Sequence, residues 1–183
     1  MIPPRSARLA TSRLILRPTI PKDFDRAFAI RGNWNVARNL SRAAFPPDGP
    51  KMAAWFDGHA TEWQAGTAYR FAIVAADRMI GVIDIGEIED SVGELGYWLD
   101  EADWGRGFGL EAAAAVVGFA FEAAALDAIR AGHAADNLAS GRILTRLGFV
   151  PAGETTVYSR SRGAEIVSKR YLLHRSDRPA AQC

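Results

Sequence analysis

Three glycines at alternate positions, Gly105, Gly107 and Gly109 in "EADWGRGFGLEAAAA" (residues 101–115), run straight into an alanine-rich apolar segment. A strand leading into such a loop and then a helix aims several backbone N–H groups and the positive end of a helix dipole at one point, where an anion is stabilised. Glycine reaches the left-handed dihedrals of such a nest and lets a ligand approach the backbone with no side chain in the way. The chemistry this spacing suits is the holding of a pyrophosphate, and a tight strand-to-helix turn uses the same residues. A dinucleotide-binding GxGxxG requires glycine where Leu110 stands, and a P-loop requires a Gly-Lys pair, which the chain lacks. GxSxG, HExxH and clustered metal-ligand spacings are also absent, so no serine nucleophile and no metal are expected.

The elements that position this loop are legible from periodicity and turn residues. "RLILRP" (13–18) alternates as a half-buried strand does, and "PKDFDRAFAIRGN" carries Pro21 and early acids as a helix start does. Residues 33–50, with Pro46, Pro47, Gly49 and Pro50, are expected to be an irregular loop before a second helix that ends near Gly66. "YRFAIVAADRMIGVIDIGEI" (69–88) reads as a hairpin, and "VGELGYWLD" (92–100) as a third consecutive strand. A long buried helix from Gly107 to about Ala124, a short strand "DAIRAGHA", a helix ending at Gly148 and a terminal hairpin turning at 161–163 complete the order. This predicts an α/β (α+β) chain of one domain, a mixed sheet with helices on its faces. Residues 1–10 are expected to be a flexible N-terminus and 174–183 a disordered tail.

The 183 residues carry 22 Lys and Arg against 21 Asp and Glu, a net charge of +1 that points to neither nucleic acid nor a membrane surface as partner. The single cysteine, Cys183, excludes an intramolecular disulfide, and with no signal-peptide core or membrane-length apolar run a cytoplasmic location is expected.

With its flanks, "ELGYWLDEADWGRGFGLEAA" followed by "DNLASGRILTRLGF", the glycine loop resembles motifs A and B of the GNAT acyltransferases, and in particular their ribosomal-protein alanine N-acetyltransferase branch. "SRLILRP" is similar to that branch's first strand, so the resemblance extends over about residues 11–173. It implies a central, mostly antiparallel sheet splayed at the cofactor site with helices on both faces, a single N-acetyltransferase domain over residues 11–173, and acetyl-CoA as the co-substrate. Its pyrophosphate would lie on the loop Trp104, Gly105, Arg106, Gly107, Phe108, Gly109 and Leu110, where Trp104 replaces the family's usual Gln or Arg. The thioester carbonyl would meet backbone N–H groups of Tyr97, Trp98 and Leu99, where the sheet splays, and Asn137 and Ser140 would serve the pantetheine arm.

Acetyl transfer from a thioester to an amine needs a polarised carbonyl, a neutral nitrogen and a proton for the departing thiolate. Glu94, in the strand that carries the carbonyl site, is the first candidate base and His133 the alternative; a carboxylate paired with arginine and a buried structural histidine are their other readings. The tyrosine that many family members place four residues before the "GF" is replaced by Leu144. Ser140 and Tyr158 are therefore the candidate acids. The acceptor is expected between residues 33–50 and 159–164, where Arg38, Arg42, Arg160 and Arg162 face only Asp48. That surplus disfavours a polyamine and suits an amino-acid-like, small-molecule or protein N-terminal amine. A catalytically degenerate module that binds acetyl-CoA is the alternative reading, and a monomer or homodimer is expected.

Overall fold

The computed structural model describes residues 2–178. Among the described residues, eight strands form one sheet: β1 (Leu9–Ala10), β2 (Ile15–Pro18), β3 (Tyr69–Ala75), β4 (Arg78–Glu89), β5 (Val92–Leu99), β6 (Ala128–Ala134), β7 (Val150–Ser159) and β8 (Ala164–His174). Their spatial order is β1-β2-β3-β4-β5-β6-β8-β7. Every neighbouring pair is antiparallel except β5 with β6, which run parallel and pair only over Val92–Leu95 and Ala128–Ala131. The helices are α1 (Phe24–Arg31), α2 (Trp34–Ala37), α3 (Gly49–Ala65), α4 (Phe108–Glu122) and α5 (Leu138–Arg146).

Strand alternation divides the side chains between two faces. Phe71, Ile73, Ile83, Ile85, Leu95 and Ile129 point to the face covered by α4, whose Ala112, Ala113, Val116 and Ala120 let the helix lie close to the sheet. The opposite face carries Ala72 and Val82 against Met52 and Phe56 of α3 and Ala27 of α1. Burying one such large aliphatic side chain stabilises the fold by about 1.5–3 kcal/mol. α3 begins where the Asp48 carboxylate accepts from the Lys51 N–H and ends at Gly66, whose φ of 71° lies in the left-handed region that glycine tolerates.

Three expectations are corrected. Within residues 1–10, Leu9–Ala10 form β1 against β2, and the Trp63 indole donates to the Pro3 carbonyl at 2.8 Å, so this segment is tied to the core. The irregular 33–50 stretch contains α2, because Asn33 caps it by accepting from the Asn35 N–H. Of the expected tail, His174 ends β8 and Arg175–Asp177 form a 3₁₀ turn held where the Arg175 guanidinium meets the Leu126 carbonyl; residues 179–183 lie outside the described residues. Among the described residues, no helix is long and apolar enough to cross a membrane.

Candidate functional site

The glycine loop is shaped by two positive φ angles, 74° at Gly105 and 82° at Gly107, which is the residue before α4. Among the described residues, the N–H groups from Gly105 to Leu110 find no acceptor, and the first helical bond is Glu111 N–H to the Gly107 carbonyl. Six free amides at the start of a 15-residue helix give the geometry that suits an anion. The loop is braced on both sides. The Glu111 carboxylate accepts from Thr11, Ser12 and Arg13 at 2.6–3.0 Å, and the Arg13 guanidinium donates to the Arg106 carbonyl. Buried Asp103 accepts from Arg78 and Arg106, and the Arg13 and Arg106 guanidiniums lie 4.8 and 4.7 Å from the centre of the Phe108 ring. The Trp104 indole donates to the Leu99 carbonyl at 3.0 Å, which anchors the loop to the end of β5.

Beyond Leu95 and Ala131, β5 and β6 separate, and the split opens into a cavity of about 540 Å³. Asp100 N–H donates to Ile80 on the β4 side. By antiparallel alternation the amide of Trp98 also faces β4, while those of Tyr97 and Leu99 face the split. Of the three amides expected at a carbonyl site, those of Tyr97 and Leu99 are thus the two that face the split. Trp98 contributes its side chain to the cavity instead. Gly81 permits the close pairing of β4 with β5 here, since a Cβ on it would collide with the Trp98 carbonyl oxygen.

On the α5 side of the split, the Tyr97 hydroxyl and Ser140 Oγ are 2.8 Å apart. Ser140 is fixed because α5 starts at Asn137, whose Oδ1 accepts from the Ser140 N–H at 3.2 Å. Burial pushes the Tyr97 phenol up to about 12, so it stays a proton donor through the neutral range. Leu144, where the family's tyrosine would stand, is 1% exposed in the core. The Tyr97 hydroxyl is the group that sequence reasoning missed, having noted only its backbone.

On the opposite face β4 and β5 bring the carboxylates of Asp84 and Glu94 to the cavity. Asp84 of β4 stands beside Gly96 of β5, where a Cβ would come within 3.0 Å of its Oδ1, and accepts from Arg70 at 2.8 Å. Burial pushes Asp84 up to about 6, outweighing the attraction of Arg70, and Glu62 and Glu94 add to the rise. Arg70 is itself desolvated, yet the carboxylates of Glu62 and Asp84 raise it, and it lies 5.2 Å from the Trp55 ring. Glu94 accepts from Arg170 at 3.2 and 3.4 Å across Gly132, so its paired-carboxylate reading is realised while it still lines the cavity. His133 is also at the cavity, but its Nδ1 is 2.8 Å from the Ala134 carbonyl and its ring stacks on Tyr171, the arrangement of a structural histidine.

Tyr158 is 62% exposed on β7 and does not line the cavity, which takes it away from the other candidates. The expectation that four arginines face only Asp48 is also corrected. Arg38 and Arg162 both pair with Asp136 at 2.8–2.9 Å, and Arg42 pairs with Glu87. Asp136 and Glu87 lie outside the two windows in which charge was compared, so the surplus could not be judged from those windows. Asp84 had a signal in sequence, a single acid within the apolar run "GVIDIG". Among the described residues, no group of three or more His, Cys, Asp or Glu is placed to hold a metal ion.

A family model described as an acetyltransferase (GNAT) domain matches residues 13–150. With a glycine nest, a split between parallel strands and this match, the chain belongs to the GNAT family and is an N-acetyltransferase. It is 30% identical over 171 residues to the N-acetyltransferase YoaA of Bacillus subtilis (strain 168), covering 90% of this chain and 95% of that one. A ribosomal-protein-serine acetyltransferase of Escherichia coli (strain K12) is 34% identical over 92 residues, 49% of this chain and 51% of that one. Two solved structures share the fold. RimJ of Mycobacterium smegmatis in complex with CoA-disulfide has a TM-score of 0.86 at 21% identity, covering 100% of this chain and 93% of that chain. RimL, a ribosomal L7/L12 alpha-N-protein acetyltransferase in complex with coenzyme A, has a TM-score of 0.80 at 20% identity, covering 92% and 98%.

Proposed function

We propose that this chain transfers an acetyl group from acetyl-CoA directly to a primary amine, which is a protein N-terminal, amino-acid-like or small-molecule amine. The observation that carries this reading is the split between β5 and β6 beyond Leu95: β5 leads along the chain into the glycine nest, and the split opens into a cavity lined by Asp84, an acid with a near-neutral pKa. Acetyl-CoA supplies the activated acyl carbon and a thiolate leaving group. The acceptor-free amides of residues 105–110 suit a pyrophosphate, and the amides of Tyr97 and Leu99 suit the thioester oxygen, where charge builds as the amine attacks. Asp84, poised near 6, takes the proton of the amine directly or through one water, and Glu94 beside it adds negative potential. The Tyr97–Ser140 pair protonates the thiolate and takes the place of the tyrosine absent at Leu144. Ribosomal-protein acetyltransferases among the relatives and fold neighbours favour an N-terminal amine as acceptor.

The binding half of this reading is tested by melting the protein with acetyl-CoA, NAD or ATP at equal concentration. A ligand at about 100 times its Kd adds about 2.7 kcal/mol. A rise with acetyl-CoA alone supports the site; no rise with it removes the cofactor from the account.

A further inference from the structure

Arg31, the last residue of α1, lines the same cavity as Asp84, Glu94 and Trp98. Its Nε is buried with no acceptor, and no carboxylate among the described residues pairs with its guanidinium. The carboxylates that line the cavity are matched: Asp84 with Arg70, Glu94 with Arg170, Glu87 with Arg42 and Asp48 with Lys51. A desolvated guanidinium without a partner is costly, and burial alone pulls its pKa down. Arg160, whose N–H is held at 2.7 Å by the Ser41 carbonyl, brings a second cation to the same cavity. The cavity thus offers carboxylates from β4 and β5 to an amine, and an unsatisfied planar fork of donors from α1 to an anion.

We infer that Arg31 determines acceptor specificity by binding a carboxylate of the amine substrate, so that the preferred acceptor carries an acidic group close to its primary amine. This rests on the transfer reaction proposed above. A guanidinium matches a carboxylate in two parallel hydrogen bonds, and docking that group satisfies the buried donor while directing the amine toward Asp84. A free amino acid and a peptide with an acidic side chain near its N-terminus both present this chemistry.

The test measures thiol release from acetyl-CoA with matched acceptors: alanine against alaninamide, the amidated peptide Ser-Asp-Ala against Ser-Asn-Ala, and spermidine, each compared per neutral amine. The acidic member of at least one pair is expected to exceed its neutral partner by about 30-fold or more in kcat/KM. The pair that discriminates identifies the source, free amino acid or peptide. Arg31→Gln removes that preference through KM for the acceptor and leaves KM for acetyl-CoA unchanged. Equal kcat/KM within both pairs overturns the inference and leaves the transfer reaction standing, as does a preference that persists in Arg31→Gln. Absence of thiol release with every amine overturns the transfer reaction and the inference with it. Should Arg31→Gln fail to fold, as judged by its melting curve, the wild-type preference and the Arg31→Lys variant decide.

Discussion

Replacing Asp84 by Asn tests the catalytic reading where it is most specific. The carboxyl sits at about 6 against an ordinary 3.8, so the folded chain disfavours its charged form by about 3 kcal/mol, at about 1.36 kcal/mol per unit. A carboxyl raised on folding contributes stability that is fully present below 3.8 and lost as pH rises through 6, so at neutral pH its charge is a cost. Asp84→Asn removes that cost. Arg70 is not orphaned by the change, because Glu62 still accepts from it at 2.7 and 3.0 Å. Stability at pH 7 should therefore hold or rise, by up to about 3 kcal/mol less what the lost Arg70–Asp84 hydrogen bond contributed, whereas orphaning a buried charge costs about 3–5 kcal/mol. Turnover should fall far more, by about 10²–10⁴, the contribution of a positioned base. The assay is thiol release against pH with an α-amino acceptor of pKa near 8. In the wild type, log kcat/KM should rise with slope two below about 6, from base and amine together, and with slope one from there to about 8. In Asp84→Asn the slope should be one throughout. A variant with wild-type turnover, or one that keeps the break near 6, would refute the assignment.

Other predictions concern the acid, the loop and the buried histidine. Glu94→Gln should lower turnover less than Asp84→Asn, because Glu94 already balances Arg170, and should leave the melting shift with acetyl-CoA intact. Tyr97→Phe should reduce kcat with KM for acetyl-CoA little changed, and the wild type should show no loss of the acid below about pH 10, since the phenol is held near 12. Gly107→Ala forces a Cβ into φ 82°, at a cost of about 1–2 kcal/mol, and should reduce the acetyl-CoA melting shift beyond its effect on the apo protein. Burial holds His59 at about 3, so its contribution is present above 6.5 and lost as pH falls; between pH 6.5 and 5 it should account for about 2 kcal/mol of destabilisation, read by denaturant melts and absent in His59→Gln.

The fold was legible because its elements carry local signals. Alternation in 69–99 marks three strands, and the proline-free alanine run marks α4. Gly66 and Gly148 end helical stretches through positive φ. The glycine loop and the Asn137 cap lie within short spans of chain, so their geometry was accessible from spacing. What sequence could not supply was pairing across distance. Arg170 meets Glu94 only because β8 lies beside β6, and Arg162 meets Asp136 only because the β7–β8 turn folds back toward α5. Arg31 has no local signature at all; its importance arises from the lack of a partner, which is visible only once all its neighbours are placed. The Tyr97 hydroxyl was overlooked because a resemblance transfers positions, and the hydroxyl that meets Ser140 is carried by β5 and not by α5.

The most direct test of the central claim is amine-dependent thiol release from acetyl-CoA, followed together with the mass of the amine product. The account predicts one thiol released per acetyl group gained on the primary amine, with release abolished when the amine is omitted. Thiol release that continues at the same rate without an amine, or an amine whose mass does not change, would contradict it.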